Sequence, residues 1–78
     1  MISEALLTRI TASPDILIGK PTIRGLRISV EQILRALAAG VSADDLLYDY
    51  PDLEPADISA ALAYAAERVA EERLFRVA

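Results

Sequence analysis

The chain has 78 residues, of which 54% are hydrophobic, and its formal net charge is −4. It contains no cysteine and no histidine, which excludes a disulfide framework, a cysteine–histidine zinc site and a histidine-based catalytic triad. No apolar run approaches the ~20 residues of a membrane helix, and no signal-peptide pattern is present. We therefore expect one small, non-enzymatic, cytoplasmic domain over residues 1–78, without cofactor, metal or membrane contact.

Residues 1–28 are predicted to form a small β-hairpin or clasp, because glycine and proline recur there too often for a helix. We expect short extended pieces near residues 9–12 and 26–29, folded back by the loop between them. Over the first ten residues the pattern fits either a short helix capped by Ser3 or the beginning of a strand. So few residues do not decide between the two.

Two short helices are predicted next. Ser29 and Gln32 form a capping-box pattern at the beginning of the first, and Gly40 suits the left-handed position that ends it. Ser42 caps the second helix, and Pro51 ends it. Apolar residues recur at helical spacing in both, namely Val30, Ile33, Leu34, Leu37, Leu46, Leu47 and Tyr50.

A third and longer helix is predicted from Pro55 to about Leu74. Leu53 lies where it can form a hydrophobic staple with Ile58 across the N-terminus of this helix. We expect the buried stripe to consist of Ile58, Leu62, Ala65 and Val69. A helix of roughly 20 residues is about 30 Å long, so we expect its far end to overhang so small a core.

Three helices joined by short turns over residues 29–78 predict a trihelical helix-turn-helix unit. The fold class is therefore mainly α, with the short N-terminal β-hairpin or clasp added to that unit. The alternative is that the three helices are packed together for stability alone.

Several short motifs keep the spacing of a known bacterial family. They are Pro14-Asp15, Gly19-Lys20-Pro21, Ile23-Arg24-Gly25, Arg27-Ile28, Gly40, Ser42, Tyr50-Pro51-Asp52-Leu53, Asp57-Ile58 and Ala61-Leu62 with Tyr64. Over about residues 10–66 the chain therefore resembles the domain-of-unknown-function family four-three-three. It departs from the family pattern at Ile18, where a second glycine is usual, and at Leu26, where a threonine is usual.

The resemblance implies a homeodomain-like helix-turn-helix fold and a frequent pairing with a small PIN-like nuclease toxin. On that basis the chain is expected to be the antitoxin of a type II toxin–antitoxin pair that neutralises a PIN-like ribonuclease. It is also expected to bind operator DNA as a homodimer. Two alternatives stay open: a stand-alone DNA-binding transcriptional regulator, and a protein-interaction adaptor that does not bind DNA.

The candidate DNA-binding residues are Lys20, Arg24, Arg27 and Arg35. They belong to the basic half of the chain, since residues 1–39 carry five basic and three acidic groups and residues 40–78 carry three and nine. Cations on a loop can hold the phosphate backbone of DNA. The expected recognition helix, about residues 43–50, carries three aspartates and no basic residue, so the clasp is the expected contact. The alternative is that these cations pair with carboxylates of the same chain.

The acidic residues of the second half do not predict a metal site. Asp44, Asp45, Glu54 and Asp57 lie in or beside first helical turns, where carboxylates counter the helix macrodipole. We therefore interpret them as capping groups and solvated surface. The segment Gly19-Lys20-Pro21-Thr22 lacks the serine or threonine and the leading glycine of a phosphate-binding P-loop, and it is interpreted as a turn.

The C-terminal end carries the candidate partner-binding residues Arg68, Arg73, Leu74, Phe75, Arg76 and Val77. The PIN-like partner that the resemblance implies has an acidic metal pocket. A guanidinium inserted there matches carboxylates in geometry and can take the place of the cation. The alternative is a frayed terminus with cations at the end of a helix.

Overall fold

The computed structural model describes residues 4–72. In chain order its elements are α1 (Glu4–Leu7), β1 (Ile10–Thr11), a 3₁₀ turn (Leu17–Gly19), β2 (Thr22–Ile23), α2 (Val30–Ala38), α3 (Ala43–Asp49) and α4 (Pro55–Glu71). The fold is therefore mainly α with one two-stranded antiparallel sheet, as the sequence predicts. Among the helices of residues 4–72, none combines the length and the apolar character of a membrane-spanning segment.

The first part of the chain contains both of the elements between which the sequence could not decide. α1 is a single turn of helix, and β1 follows it after two residues. β1 pairs with β2 so that Ile10 lies opposite Ile23. Ser3, the predicted cap of α1, lies outside the described residues.

The second strand of the clasp does not lie where the sequence predicts it. The partner of β1 is β2, and the segment near residues 26–29 forms only a single bridge, from Ser29 to Thr22. The physical reason is a tight turn directly after β2. Arg24 and Gly25 both have positive φ, at 45° and 75°, and the N–H of Leu26 donates to the carbonyl of Ile23 at 2.7 Å. Two successive positive φ values are typical of a turn that reverses the chain in two residues.

α2 and α3 confirm the predicted caps. The hydroxyl of Ser29 accepts from the N–H of Gln32 at 2.9 Å, and the side chain of Gln32 accepts in return from the N–H of Ser29 at 3.5 Å. Ser42 caps α3 by accepting from the N–H of Asp45 at 3.0 Å. Between the two helices Gly40 has a φ of +94°, which glycine adopts without the penalty that a Cβ imposes.

α4 begins at Pro55 as predicted, and the staple residues Leu53 and Ile58 are both buried. The predicted buried stripe is confirmed at Ile58, which is 6% exposed, and is wrong at Leu62 and Val69, which are 51% and 67% exposed. The residues that α4 buries are Asp57, Ile58, Ala60, Ala61 and Ala63. α4 contacts α1, α2 and α3, and the alanine side of the helix allows these neighbours to approach closely. α4 ends at Glu71, before the predicted end near Leu74, because the backbone of Glu72 is already extended.

The hydrophobic core joins the clasp to α2, α3 and α4. Its buried members are Ile23, Ile28, Val30, Ile33, Leu46, Leu53, Ile58 and Ala61. Leu26, the leucine that stands where the resembled family usually has a threonine, is partly buried and packs against this core. The leucine at this position therefore contributes apolar contact to the domain.

The loop before β2 contains three consecutive residues in the left-handed region. Leu17, Ile18 and Gly19 have φ values of 49°, 57° and 80°. Ile18 is β-branched and 96% exposed, so no burial offsets the steric cost of its backbone conformation. The glycine that is usual at this position in the resembled family would adopt the same conformation without strain.

We expect Ile18→Gly to stabilise the domain by about 1 kcal/mol. Glycine removes the steric penalty of roughly 1–2 kcal/mol that a Cβ imposes in the left-handed region. Only part of this gain is offset, because glycine also raises the conformational entropy of the unfolded chain. Urea unfolding measures the change. Ile18→Ala is the matched control, since it removes the exposed side chain but keeps the Cβ, and its stability should stay near that of the parent. Equal stabilisation by both variants would contradict the backbone explanation.

Candidate interaction site

The clasp is fastened to α4 through Asp57, whose side chain has no solvent-exposed surface. Arg9, which precedes β1, places its Nη1 2.9 Å from Oδ1 of Asp57. Arg24, in the tight turn after β2, places its Nη2 2.9 Å from Oδ2 and donates from Nε to Oδ1 at 3.1 Å. Two arginines from two segments of the clasp thus converge on one buried carboxylate.

Asp57 also caps the helix that carries it. Its Oδ2 accepts from the N–H of Glu54 at 2.8 Å, which satisfies a backbone donor at the N-terminus of α4. The arginines have second partners close by: Arg9 donates to Oε1 of Glu54 at 2.8 Å, and Arg24 donates to the carbonyl of Asp52 at 2.7 Å. Within residues 4–72 no buried side-chain nitrogen or oxygen lacks a hydrogen-bond partner.

The electrostatics of this centre favour the charged forms of Asp57, Arg24 and Arg9. Burial by itself raises the pKa of Asp57, but the hydrogen bonds from Arg24, from the backbone of Glu54 and from Arg9 outweigh it, so the pKa lies below its ordinary value. The hydrogen bond to Asp57 raises the pKa of Arg24. Hydrogen bonds to Glu54 and then to Asp57 raise the pKa of Arg9. The centre is therefore an ion-pair network at neutral pH.

The sequence interpretation of Asp57 was half correct. It predicted a capping carboxylate in the first turn of α4, which the hydrogen bond to Glu54 confirms, but it also predicted a solvated side chain, which is wrong. The reason lies far away in the chain, because the two arginines that enclose Asp57 are 48 and 33 residues distant. The sequence analysis predicted no role for Arg9, because no local pattern around it indicates its partner.

The four candidate DNA-binding residues divide into three situations. Arg24 is committed to Asp57 and Asp52, so it serves the fold. Lys20 and Arg35 both pair with Glu31, at 2.9 Å each, and all three of these side chains are about half exposed or more. The hydrogen bond from Lys20, followed by that from Arg35, lowers the pKa of Glu31.

Arg27 differs from the other three, because it is exposed and has no ion pair or hydrogen bond within residues 4–72. It lines a groove of about 600 Å³ together with Lys20. The remaining lining residues are Pro14, Asp15, Leu17, Ile18, Ser29 and Gln32. The structure thus brings Lys20 and Arg27 together and directs Arg24 toward α4.

Asp44, Asp45 and Asp49 are exposed on α3. Within the part of the chain that the structure describes, no group of three or more acidic side chains is arranged so as to hold a metal ion.

Of the candidate partner-binding residues, the described structure includes only Arg68. It is exposed near the end of α4 and pairs with Glu71 at 3.3 Å. Arg73, Leu74, Phe75, Arg76 and Val77 lie outside the described residues.

A second groove, of about 520 Å³, lies between α2 and α4 and was missed by the sequence analysis. Its lining residues are Pro21, Val30, Glu31, Leu34, Arg35, Ala38, Tyr64, Ala65, Arg68 and Val69. The lining residues that belong to α2 recur at helical spacing. The sequence pattern predicted that two of them, Val30 and Leu34, lie in the core. Val30 is buried and Leu34 is partly buried, so one side of this helical face borders the groove. Periodicity identifies an apolar face but not which element covers it.

These features define a class of protein: a small, mainly α domain whose two-stranded clasp is held on its longest helix by a buried ion-pair network. The chain belongs to the family described as "Protein of unknown function (DUF433)", whose model matches residues 10–65. This confirms the resemblance found in its sequence motifs.

The chain is also similar to the "Uncharacterized protein y4eO" of Sinorhizobium fredii (strain NBRC 101917 / NGR234), with 41% identity over 56 residues. The match covers 72% of this chain and 25% of the relative, so it spans a quarter of the relative's length. No solved structure matches the chain.

We expect Asp57→Asn to lower the free energy of unfolding at pH 7 by about 3 kcal/mol, because the change removes the buried negative charge on which two arginines depend. Asp49→Asn on α3 is the matched control. Its carboxylate is exposed, and the substitution should change stability by less than about 0.5 kcal/mol. Urea unfolding followed by circular dichroism measures both, and equal effects would contradict the assigned role of Asp57.

The same network predicts how stability depends on pH. Because the folded-state pKa of Asp57 lies below its ordinary value of 3.8, its contribution is fully present above about pH 5. That contribution is lost as the pH falls through the folded-state pKa, since the unfolded chain then binds the proton more readily. Between pH 5 and pH 2 the parent should lose more stability than Asp57→Asn. Parallel curves for the two proteins would show that Asp57 does not carry the acid sensitivity.

Proposed function

We propose that the chain is a non-enzymatic binding protein, the antitoxin of a type II pair that neutralises a PIN-like ribonuclease. The observation that carries this proposal is the exposed end of α4. Every residue from Arg68 to Glu72 is exposed, including the apolar Val69, and the chain continues from there into the candidate partner-binding residues 73–77. An exposed helix end that carries apolar and cationic groups is suited to contact another protein.

The chemistry of this end suits an acidic partner site. Arg68 is held by Glu71 alone within the described residues, and both side chains are about two-thirds exposed, so the pair contributes little and can exchange partners. Arg73 and Arg76 add two further guanidiniums, which bind carboxylates bidentately. Leu74, Phe75 and Val77 supply apolar groups that can anchor such a contact.

Within this proposal, α2, α3 and α4 are the three helices of a homeodomain-like helix-turn-helix unit. The short connection from α2 to α3 through Gly40 and Ser42 supports this assignment, and so do the mutual contacts of the three helices. The clasp is then an addition that is fastened to the first turn of α4.

A second candidate function, binding of operator DNA, is favoured by Arg27. An exposed guanidinium without a partner among the described residues, beside Lys20 in one groove, is suited to contact phosphate. Two cations on an acidic chain give weak binding, so a homodimer that doubles them is part of this candidate function. A stand-alone transcriptional regulator would bind DNA without binding a toxin, whereas a protein-interaction adaptor would not bind DNA.

The antitoxin proposal is tested by ending the chain after Glu72, which keeps the whole described helix. The product of the neighbouring reading frame should co-purify with the full chain, and the shortened chain should bind it at least tenfold more weakly. A chain of full length with glycine and serine at residues 73–78 is the matched control for length, and it should fail in the same way. Unchanged capture by the shortened chain would refute the role of the tail.

The DNA-binding proposal is tested by Lys20→Ala combined with Arg27→Ala. The double variant should bind every DNA sequence more weakly in a mobility-shift assay. Because the homodimer loses four cations, the slope of log K against log salt should fall in magnitude by about 4. Arg68→Ala removes one positive charge elsewhere and should leave the slope unchanged. Arg24→Ala is unsuitable here, because it breaks the contact with Asp57. A parent chain that shifts no DNA at low salt would favour the adaptor.

A further inference from the structure

Ile18 is a large apolar side chain that the described fold leaves almost wholly in water. It is 96% exposed, and its backbone lies in the left-handed region with a φ of 57°. A β-branched residue is strained in that conformation, and no burial of its side chain offsets the strain. Strained positions of this kind cluster at binding sites. The stability of the domain therefore does not explain an isoleucine here, whereas contact with a partner does.

Cations lie beside this protruding side chain. Ile18, Lys20 and Arg27 line the same groove, of about 600 Å³. Arg27 has no ion pair or hydrogen bond within residues 4–72. Lys20 pairs with Glu31 at 2.9 Å, but both side chains are about half exposed, so the pair contributes little and can exchange partners. A partner that covers Ile18 thus meets two cations as well.

The balance of charge at the groove favours an anionic partner. Two cations and one carboxylate, that of Asp15, belong to the lining, and Glu31 beside it is held between Lys20 and Arg35. These groups, together with Arg27, are three basic and two acidic, although the whole chain carries −4. A local excess of positive charge on an acidic chain is complementary to phosphate.

We propose that Ile18 is an apolar wedge that enters a base step of duplex DNA, while Lys20 and Arg27 bind the flanking phosphates. This role rests on the DNA-binding function proposed above and adds the group that deforms the DNA. Isoleucine is among the side chains that architectural proteins insert between neighbouring bases from the minor groove. Such an insertion unstacks the step and bends the duplex.

The wedge defines the class of DNA that the chain prefers. Pyrimidine–purine steps such as TA unstack readily, whereas A-tracts are stiff. We therefore expect tighter binding to a duplex with a central TA step than to a duplex of equal length and base composition built on an A-tract. A preference for deformable DNA needs no base-reading cation, which suits a chain whose α3 carries three aspartates and no basic residue.

The first test compares Ile18→Gly with the parent in a mobility-shift assay on the duplex with the TA step. Ile18→Gly should bind about tenfold more weakly, because the variant has no apolar side chain to bury in the complex. The slope of log K against log salt should stay that of the parent, since no charge is lost. Weaker binding will not be a result of unfolding, because Ile18→Gly is expected to be the more stable protein.

Two matched variants separate the wedge from other effects. Ile18→Leu keeps an apolar side chain of a kind that also serves as a wedge, and it should retain the affinity of the parent. Leu62→Ala removes a half-exposed apolar group from α4, far from the groove in sequence, and it should also bind as the parent does.

The second test measures the bend. Energy transfer between dyes at the two ends of a duplex of about 25 base pairs should rise when the parent binds, because a kinked duplex brings its ends closer together. Ile18→Gly, at a concentration that saturates the duplex, should give a clearly smaller rise. The preference for the TA step over the A-tract should be lost with the bend.

The outcomes distinguish the wedge from the function on which it rests. A parent that shifts no DNA would overturn both. A parent that shifts DNA, with Ile18→Gly equal to it in affinity or in bend, would overturn the wedge alone. Loss of nuclease capture by Ile18→Gly with unchanged DNA binding would show that Ile18 contacts a protein, which also overturns the wedge.

Discussion

The structure depends on one buried carboxylate. Asp57 closes the first turn of α4 and receives Arg9 and Arg24 from the clasp, so it joins the beginning of the chain to its longest helix. The sheet itself contains only two residue pairs, too few for a ribbon that is stable on its own. A buried ion pair adds little net stability compared with apolar packing, but it specifies one arrangement. Here it specifies which end of α4 the clasp covers.

The contacts of Asp57 also change how the uneven distribution of charge between the two halves of the chain is interpreted. The basic first half and the acidic second half suggest two surfaces for two partners. In the folded chain a part of each half is joined across the contact of Arg9 and Arg24 with Asp57 and Glu54. Those groups are used to hold the domain together. The cationic surface left for phosphate is therefore smaller than a count of basic residues indicates. Arg27 is its exposed member that has no ion pair within residues 4–72.

Local features could be predicted from the sequence and nonlocal ones could not. The caps at Ser29 and Ser42 and the left-handed position at Gly40 depend on residues within one or two turns, so their patterns are sufficient. The burial of Asp57 depends on groups 33 and 48 residues away. The position of β2 depends on a two-residue turn at Arg24, where an arginine at positive φ is not what turn statistics predict.

The orientation of α4 is the most informative of these differences. Periodicity predicted Leu62 and Val69 as part of a buried stripe, yet the domain buries Ala60 and Ala61 and leaves these larger side chains exposed. A buried leucine or valine stabilises a protein by about 1.5–3 kcal/mol relative to an exposed one. A solitary domain of this size, which has little apolar area to spare, forgoes that gain by turning its alanines inward.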